Sequence, residues 1–195
     1  MSHYQELTLL QHEEVPLYAL WGKVYTQIHL ALTELQAALG TGKVGVAFPE
    51  YRFDAEAQSG HLGRKLRVFA DDAAVLQQLN LSQHLRRYED YVQLSAVAAV
   101  PAEHGLACYA RVQVKSGAER ATRRLIKRHP ELNYETELAR LQALSVHSAL
   151  PFIQLNSLSS KQTFRLFIAK TATMAAQTGD FGSYGLSNSA TVPDF

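Results

Sequence analysis

Only one cysteine, Cys108, occurs in the 195 residues. A single thiol excludes an internal disulfide and any zinc cage built from cysteines, and it is the usage of a reducing compartment. No apolar run approaches the roughly 20 residues that span a bilayer. The opening MSHYQELTLLQHEE is polar and has no positive segment leading into an apolar run, so it does not read as a signal peptide. GTGK at 40–43 lacks the remainder of the G-x-x-x-x-G-K-[ST] phosphate loop. There is no G-x-S-x-G nucleophile elbow, and no histidine and carboxylate spacing marks a metal centre. Internal repeats and low-complexity tracts are also missing. The expectation is a soluble, cytoplasmic protein with no membrane partner, no metal and no cofactor.

What is present is a charge cluster. The chain carries a formal net charge of only +1, with 47% hydrophobic and 19% charged residues, an ordinary globular composition. Yet RVQVKSGAERATRRLIKRH, residues 111–129, holds seven of its 19 Lys and Arg residues. Like charges crowded together repel unless something anionic joins them. Ser116 followed by Glu119 is a capping-box pattern, and Pro130 lies just beyond the far end, so a helix is predicted between them. Arg120, Arg124, Lys127 and Arg128 fall along one side with Arg123 beside them, and Ala121, Leu125 and Ile126 are expected on the packed side. Glu119 is the one acid close by, and the capping pattern assigns it to the helix end. A merely solvated face interleaves acids at four-residue spacing. This one does not, which favours a nucleic acid whose binding releases counterions. The alternative is a surface helix with no ligand.

The remaining pattern gives the fold class. A strand from Tyr4 to Leu10 is followed, after Pro16, by a long amphipathic helix that ends at Gly40. Its stripe is Leu17, Trp21, Val24, Ile28, Leu32, Leu35 and Leu39. KVGVAFPEY (43–51) and KLRVFA (65–70) read as strands with a polar loop between them. DDAAVLQQL reads as a short helix with acids in its first turn, and EDYVQLSAVAAV as a fourth strand. Strand, helix, strand, strand, helix, strand is the ferredoxin-like order, in an α+β chain. PAEHG (101–105) marks a boundary, giving residues 1–101 and 102–195 as two domains. The second holds a strand (YARVQVK), the basic helix, a second helix in ELNYETELARLQAL, two strands in PFIQLNS and FRLFIAKT, and a glycine-rich tail.

HYQELTL, VGVAFPEY, HLGRKLRV, RVQVKS with its arginine-rich helix, LPFIQLNSLSSKQTFRLFI and SYGLSNSATVP stand in this order along most of the chain. Together they resemble the CRISPR repeat-processing endoribonucleases of type I-F systems, the Csy-type members of the Cas6 superfamily. The resemblance implies a ferredoxin-like amino-terminal domain and a smaller α/β carboxy-terminal domain that grips a hairpin of the CRISPR repeat RNA. It implies metal-free cleavage at the base of the stem, in which the RNA's own 2′-hydroxyl leaves a 2′,3′-cyclic phosphate and a 5′-hydroxyl. It also implies retention of the guide RNA among the other subunits of an interference complex. A rival reading is a catalytically silent subunit that holds a guide RNA without cutting it.

Such chemistry needs a base, and histidine suits it because its pKa lies near neutrality. The chain has eight histidines, so composition does not choose among them. The resemblance implies His29, which lies about 100° from the leucine stripe on an ideal wheel. In the family the active histidine follows an FGK-like triplet by two residues. His29 follows Trp21, Gly22 and Lys23 by six, and Tyr25 occupies the ungapped place. A four-residue insertion, about one turn, would restore His29 to nearly the same face. Tyr25 therefore remains its competitor. The resemblance further implies Ser157 as holder of the attacking hydroxyl, Ser159 near the scissile phosphate, Phe164 as a stacking platform and Tyr184 beside the histidine. Arg111 and Gln113 match residues that read base edges, and they would share a face if the strand continues. Lys115 belongs to the same basic stretch. Lys161 stands where relatives have glycine, as a further phosphate contact. Thr122 and Lys127 replace family arginines.

Overall fold

The computed structural model describes the backbone of residues 1–113, 118–143, 149–157 and 162–195, and the side chains of all of these except 118, 142 and 143. Its Cα packing forms two units, residues 1–112 with 150–195, and residues 113–149. It is an α+β protein with antiparallel sheets.

In the larger unit, Leu7 and Leu9 point inward from β1 (His3–Leu9). Proline at 16 cannot donate a backbone hydrogen bond, and α1 (Leu17–Leu39) starts directly after it. The predicted stripe is buried from Trp21 to Leu35, while Leu17 and Leu39 at its two ends are exposed. Gly40 closes the helix in the left-handed conformation at φ 72°. The short strand β2 (Gly45–Ala47) follows. The loop expected next contains an exposed hairpin, β3 (Arg52–Asp54) and β4 (Ser59–His61). Asp54 makes its turn by accepting from the amides of Glu56 and Ala57, both at 2.9 Å.

Next comes β5 (Lys65–Ala70), as expected. α2 (Ala73–Leu79) and α3 (Leu81–His84) follow. Asp72 is not inside the first turn of α2 but caps it, accepting from the Ala74 amide at 2.9 Å. A 3-10 turn (Arg86–Tyr91) leads into β6 (Val92–Leu94). The single fourth strand expected here is broken. Ser95 turns its hydroxyl to the Glu6 amide at 2.9 Å, and only then does β7 (Ala98–Ala99) rejoin the beginning of β1. The strand order is β2-β5-β1-β6 with every neighbour antiparallel. β1 and β2 therefore run parallel through the α1 crossover, and β5 and β6 through the α2–α3 crossover.

A second antiparallel sheet has the order β11-β8-β10-β9, from β8 (Gly105–Val112), β9 (Phe152–Asn156), β10 (Thr163–Thr173) and β11 (Val192–Asp194). The glycine-rich tail thus ends in a strand, and Phe181, Leu186, Ala190 and Val192 of it are buried. α1 packs on β9, and one apolar core is shared by both sheets. Buried polar tips are satisfied. Trp21 Nε1 donates to the Gly63 carbonyl at 2.8 Å, Tyr51 to Ile168 and Tyr109 to Phe48, both at 3.1 Å.

The smaller unit pairs α4 (Ala118–Arg128) with α5 (Tyr134–Ala143). Asn133 caps α5 through the amides of Glu135 and Thr136. Two expectations for α4 are corrected. Ala121 is exposed and Thr122 is fully buried, because Thr122, Leu125 and Ile126 hold the i, i+3, i+4 spacing that shares a face. Glu119 does take an arginine, Arg123 at 3.6 Å, one turn on. No described helix is long and apolar enough to cross a membrane.

Candidate active site

The site is built where α1, the end of β9, the start of β10 and the tail loop converge. Inward positions alternate along the sheet: Ile153 and Leu155 in β9, with Leu166 and Ile168 in β10. Phe164 stands opposite Leu155, and Arg111 opposite Ile168, so both belong to this face. Ser157 follows with the same parity just past the end of β9, where its amide donates to the Gln162 carbonyl at 2.9 Å. Asn156 is held by the Thr163 hydroxyl at 2.8 Å.

α1 brings His29 to this face, half-buried. Its Nδ1 lies 2.8 Å from the Ser183 carbonyl oxygen. A carbonyl only accepts, so Nδ1 carries the hydrogen, and in the neutral ring Nε2 keeps its lone pair. The ring stacks on Tyr184 at 4.2 Å between centroids and 14° between planes. Gly185 makes the Tyr184 loop possible. It sits at φ 67°, and a Cβ there would come within 2.3 Å of the Val46 side chain. Its carbonyl accepts from the Val46 amide at 2.8 Å, tying the loop to β2.

Tyr25, the competitor for the histidine's place, is fully buried. Its hydroxyl donates to the Tyr184 carbonyl at 2.9 Å. Burial first, and the neighbouring Tyr184 after it, push its pKa upward. A phenol so placed keeps its proton and does not reach the cavity that His29 lines.

That cavity, about 230 Å³, is lined by Thr26, His29, Leu155, Asn156, Ser157, Phe164 and Tyr184. At its rim the Arg111 guanidinium lies 5.9 Å from the Phe164 ring and 5.5 Å from the Tyr184 ring. The structure therefore gathers His29, Ser157, Phe164, Tyr184 and Arg111. Gln113 departs from expectation: β8 ends at Val112, so Gln113 does not share a strand face with Arg111. Arg120, Arg123, Arg124, Lys127 and Arg128 are exposed on α4 in the smaller unit. Lys115, Ser159 and Lys161, with the capping Ser116, lie outside the described residues. Thr26 and Asn156 were not anticipated. Thr26 lies one turn before His29 and Asn156 directly before Ser157, and those adjacencies were the available signal. Among the described residues no three His, Cys, Asp or Glu side chains are grouped so as to hold a metal ion.

A histidine with one ring nitrogen held by a carbonyl, stacked on a tyrosine in a polar-lined cleft with an arginine at its rim, is an arrangement able to move a proton on a polar substrate. The chain belongs to the Cas_Csy4 family of CRISPR-associated proteins, matching the family model over residues 4–195. Two curated relatives are each named CRISPR-associated endonuclease Cas6/Csy4. One, from Escherichia coli (strain UTI89 / UPEC), is 34% identical over 200 residues, covering 100% of both chains. The other, from Pseudomonas aeruginosa (strain UCBPP-PA14), is 34% identical over 197 residues, again covering 100% of both. A solved RAMP protein that binds different RNA substrates aligns over 99% of each chain, but with a TM-score of 0.35 and 8% identity. The family resemblance read from the sequence blocks is borne out.

Proposed function

We propose that this chain is a CRISPR RNA-processing endoribonuclease that binds a repeat hairpin through α4 and cuts at the foot of its stem without a metal. The observation that carries the reading is the His29 Nδ1–H bond to Ser183, which leaves Nε2 available inside a cavity that Ser157 also lines. His29 takes the proton of the attacking 2′-hydroxyl, which Ser157 holds in line. The oxygen then bonds to phosphorus, the bond to the leaving 5′-oxygen breaks, and that oxygen takes up a proton. The products are a 2′,3′-cyclic phosphate and a 5′-hydroxyl. Tyr184 keeps the imidazole flat against the cavity wall, and Phe164 offers its ring to the terminal base pair. Arg111 and Gln113 contact base edges, and Lys115, Ser159 and Lys161 contact the backbone near the cut. The arginines of α4 grip phosphates, because the deep groove of A-form RNA hides its base edges from side chains.

The same reading takes residues 1–101 as a ferredoxin-like domain, supported by the β2-β5-β1-β6 order and its two helical crossovers. Residues 102–195 are then the RNA-holding half. The product stays bound as guide RNA and joins other subunits of a type I-F interference complex in the cytoplasm. The test is incubation with the host repeat RNA in excess chelator, beside a copy carrying one 2′-deoxy at the cut. Metal-free cleavage to a cyclic phosphate that the deoxy substitution abolishes is expected. Tight hairpin binding with no cleavage would leave a silent binding subunit and remove the catalytic roles.

A further inference from the structure

The catalytic cavity does not end at His29. Thr26 and Asn156 also line a second hollow of about 400 Å³, and its Tyr18 and Gln154 in turn line a third of about 480 Å³. Shared lining residues thus link the three hollows in series along α1 and the edge strand β9, and we read them as one trough. From His29 to Tyr18 the helix covers about 16 Å, room for a few nucleotides of single strand. Gly22 makes so close an approach possible, since a Cβ there would lie 2.6 Å from the Gln154 carbonyl oxygen.

The lining changes character along the trough. The middle hollow is amide- and hydroxyl-rich, with Gln27, Gln154, Asn156 and Tyr88. Its one charged lining residue is Lys23, which is exposed and in no ion pair among the described residues. The far hollow is aromatic, with Tyr18, Trp21 and Phe152. Tyr18 is 73% exposed, an unusual cost for an aromatic ring, and Phe152 is 42% exposed although Phe167 packs against it at 5.3 Å between centroids. The Arg165 guanidinium stands 4.7 Å from the Phe152 ring, and it too is in no ion pair among the described residues. No carboxylate lines either hollow. A polar middle, cations outside any ion pair among the described residues, and an exposed tyrosine beside a part-exposed phenylalanine are the features of a single-strand nucleic-acid track, where bases stack on aromatics regardless of sequence.

We propose that this trough holds the single-stranded RNA that continues from the scissile phosphate on the leaving-group side, with a base stacked against Tyr18 and Phe152. The assignment rests on the RNA-cleaving reading above. In that reading Phe164 and Arg111 take the stem at one end of the catalytic cavity, so the strand beyond the cut leaves by the other, past Thr26 and Asn156. A base held 16 Å or so from the cut anchors the leaving segment and holds the phosphate in line, so it aids binding and cleavage together.

The experiment uses the host repeat hairpin with a single 2′-deoxy at the cut, ending either one or six nucleotides beyond it. The six-nucleotide extension is expected to tighten binding about tenfold, the worth of one stacked base. Tyr18→Ala and Lys23→Ala should each remove much of that gain and leave affinity for the short RNA unchanged. Tyr18 is exposed enough for its loss to spare the fold. A 4-thiouridine placed in the extension should crosslink to the peptide bearing Tyr18. A short RNA that fails to bind brings down both readings. A short RNA that binds, with no gain from the extension and no crosslink, overturns the trough alone and gives the aromatic end to a protein partner.

Discussion

The imidazole of His29 lies flat on the phenol ring of Tyr184, 4.2 Å away, while the hydroxyl of Tyr25 holds the carbonyl of that same Tyr184 from beneath at 2.9 Å. One tyrosine positions the face of the ring and the other positions the loop. His29→Ala is therefore expected to lower single-turnover cleavage about 10²–10⁴-fold with hairpin affinity retained, the usual worth of a general base. Tyr25→Phe removes a buried donor and should cost about 1–3 kcal/mol of stability, seen as a lower Tm, with most cleavage retained. The opposite pattern, an inert Tyr25→Phe that still folds beside an active His29→Ala, would falsify the assignment of the base.

How much of this was readable from the sequence follows from which forces leave a local signature. The α1 stripe was legible because burial repeats with the helical period, and β5 because its apolar run is bounded by turns. The pairing of β11 with β8 was not, since a three-residue strand after a glycine-rich stretch has no period of its own. The burial of Thr122 was not legible for a related reason. A threonine reads as polar, yet its place one turn from Leu125 and Ile126 decides its burial. At the site, the family blocks pointed to His29, Ser157, Phe164 and Tyr184. Setting Tyr25 apart from His29 needed three dimensions, because only burial separates two residues one turn apart on the same helix. The hollows along α1 were equally hidden, since α1 and β9 are far apart in the chain and come together only in the fold, most closely at Gly22.

Gly22 gives a second prediction. Alanine is the better helix former by about 1 kcal/mol, so Gly22→Ala in an isolated helix would stabilise. Here the new methyl meets the Gln154 carbonyl oxygen at 2.6 Å, which is backbone and cannot rotate away. Overpacking of this kind costs about 1–3 kcal/mol. The clash should win, lowering Tm and slowing cleavage as β9 and Ser157 are pushed from His29. A Tm at or above that of the parent protein would show that α1 does not lie so close to β9.

Glu6 provides a pH dependence. Its partly buried carboxylate accepts from Lys65 Nζ at 3.0 Å and Arg67 Nε at 2.7 Å. Burial alone would raise its pKa, but the two hydrogen bonds and their charges outweigh it, and the net shift is downward. A folded-state pKa below the unfolded value means stability that is fully present above the ordinary carboxylate range and is lost as pH falls through the folded value. Glu6→Gln should therefore lower stability by about 1–3 kcal/mol at pH 7. The gap should close as both proteins are acidified below about pH 4. Thermal melts across pH check it, and parallel curves would mean Glu6 contributes nothing through its charge.

On α4, Arg124 is exposed and has no ion pair among the described residues, whereas Arg123 shares Glu119. If Arg124 grips one phosphate, Arg124→Ala should weaken hairpin binding and reduce the slope of log affinity against log salt by about 0.9. Titrations at three salt concentrations are enough to read it. An unchanged slope would take Arg124 off the RNA.

Thr122 tests whether α4 tolerates the family's pattern. The family resemblance read from the sequence implies an arginine there, which invites the expectation that Thr122→Arg adds a phosphate contact. The position is fully buried in this chain. A guanidinium forced into it would lose its water and displace the packing around a fully buried threonine, at a cost of about 3–5 kcal/mol, more than one exposed phosphate contact returns. Thr122→Arg should thus destabilise the protein and leave hairpin affinity no better at temperatures where it still folds. Tighter binding with an undiminished Tm would mean that residue 122 faces the RNA and that the burial of this helix face is relieved when the hairpin binds.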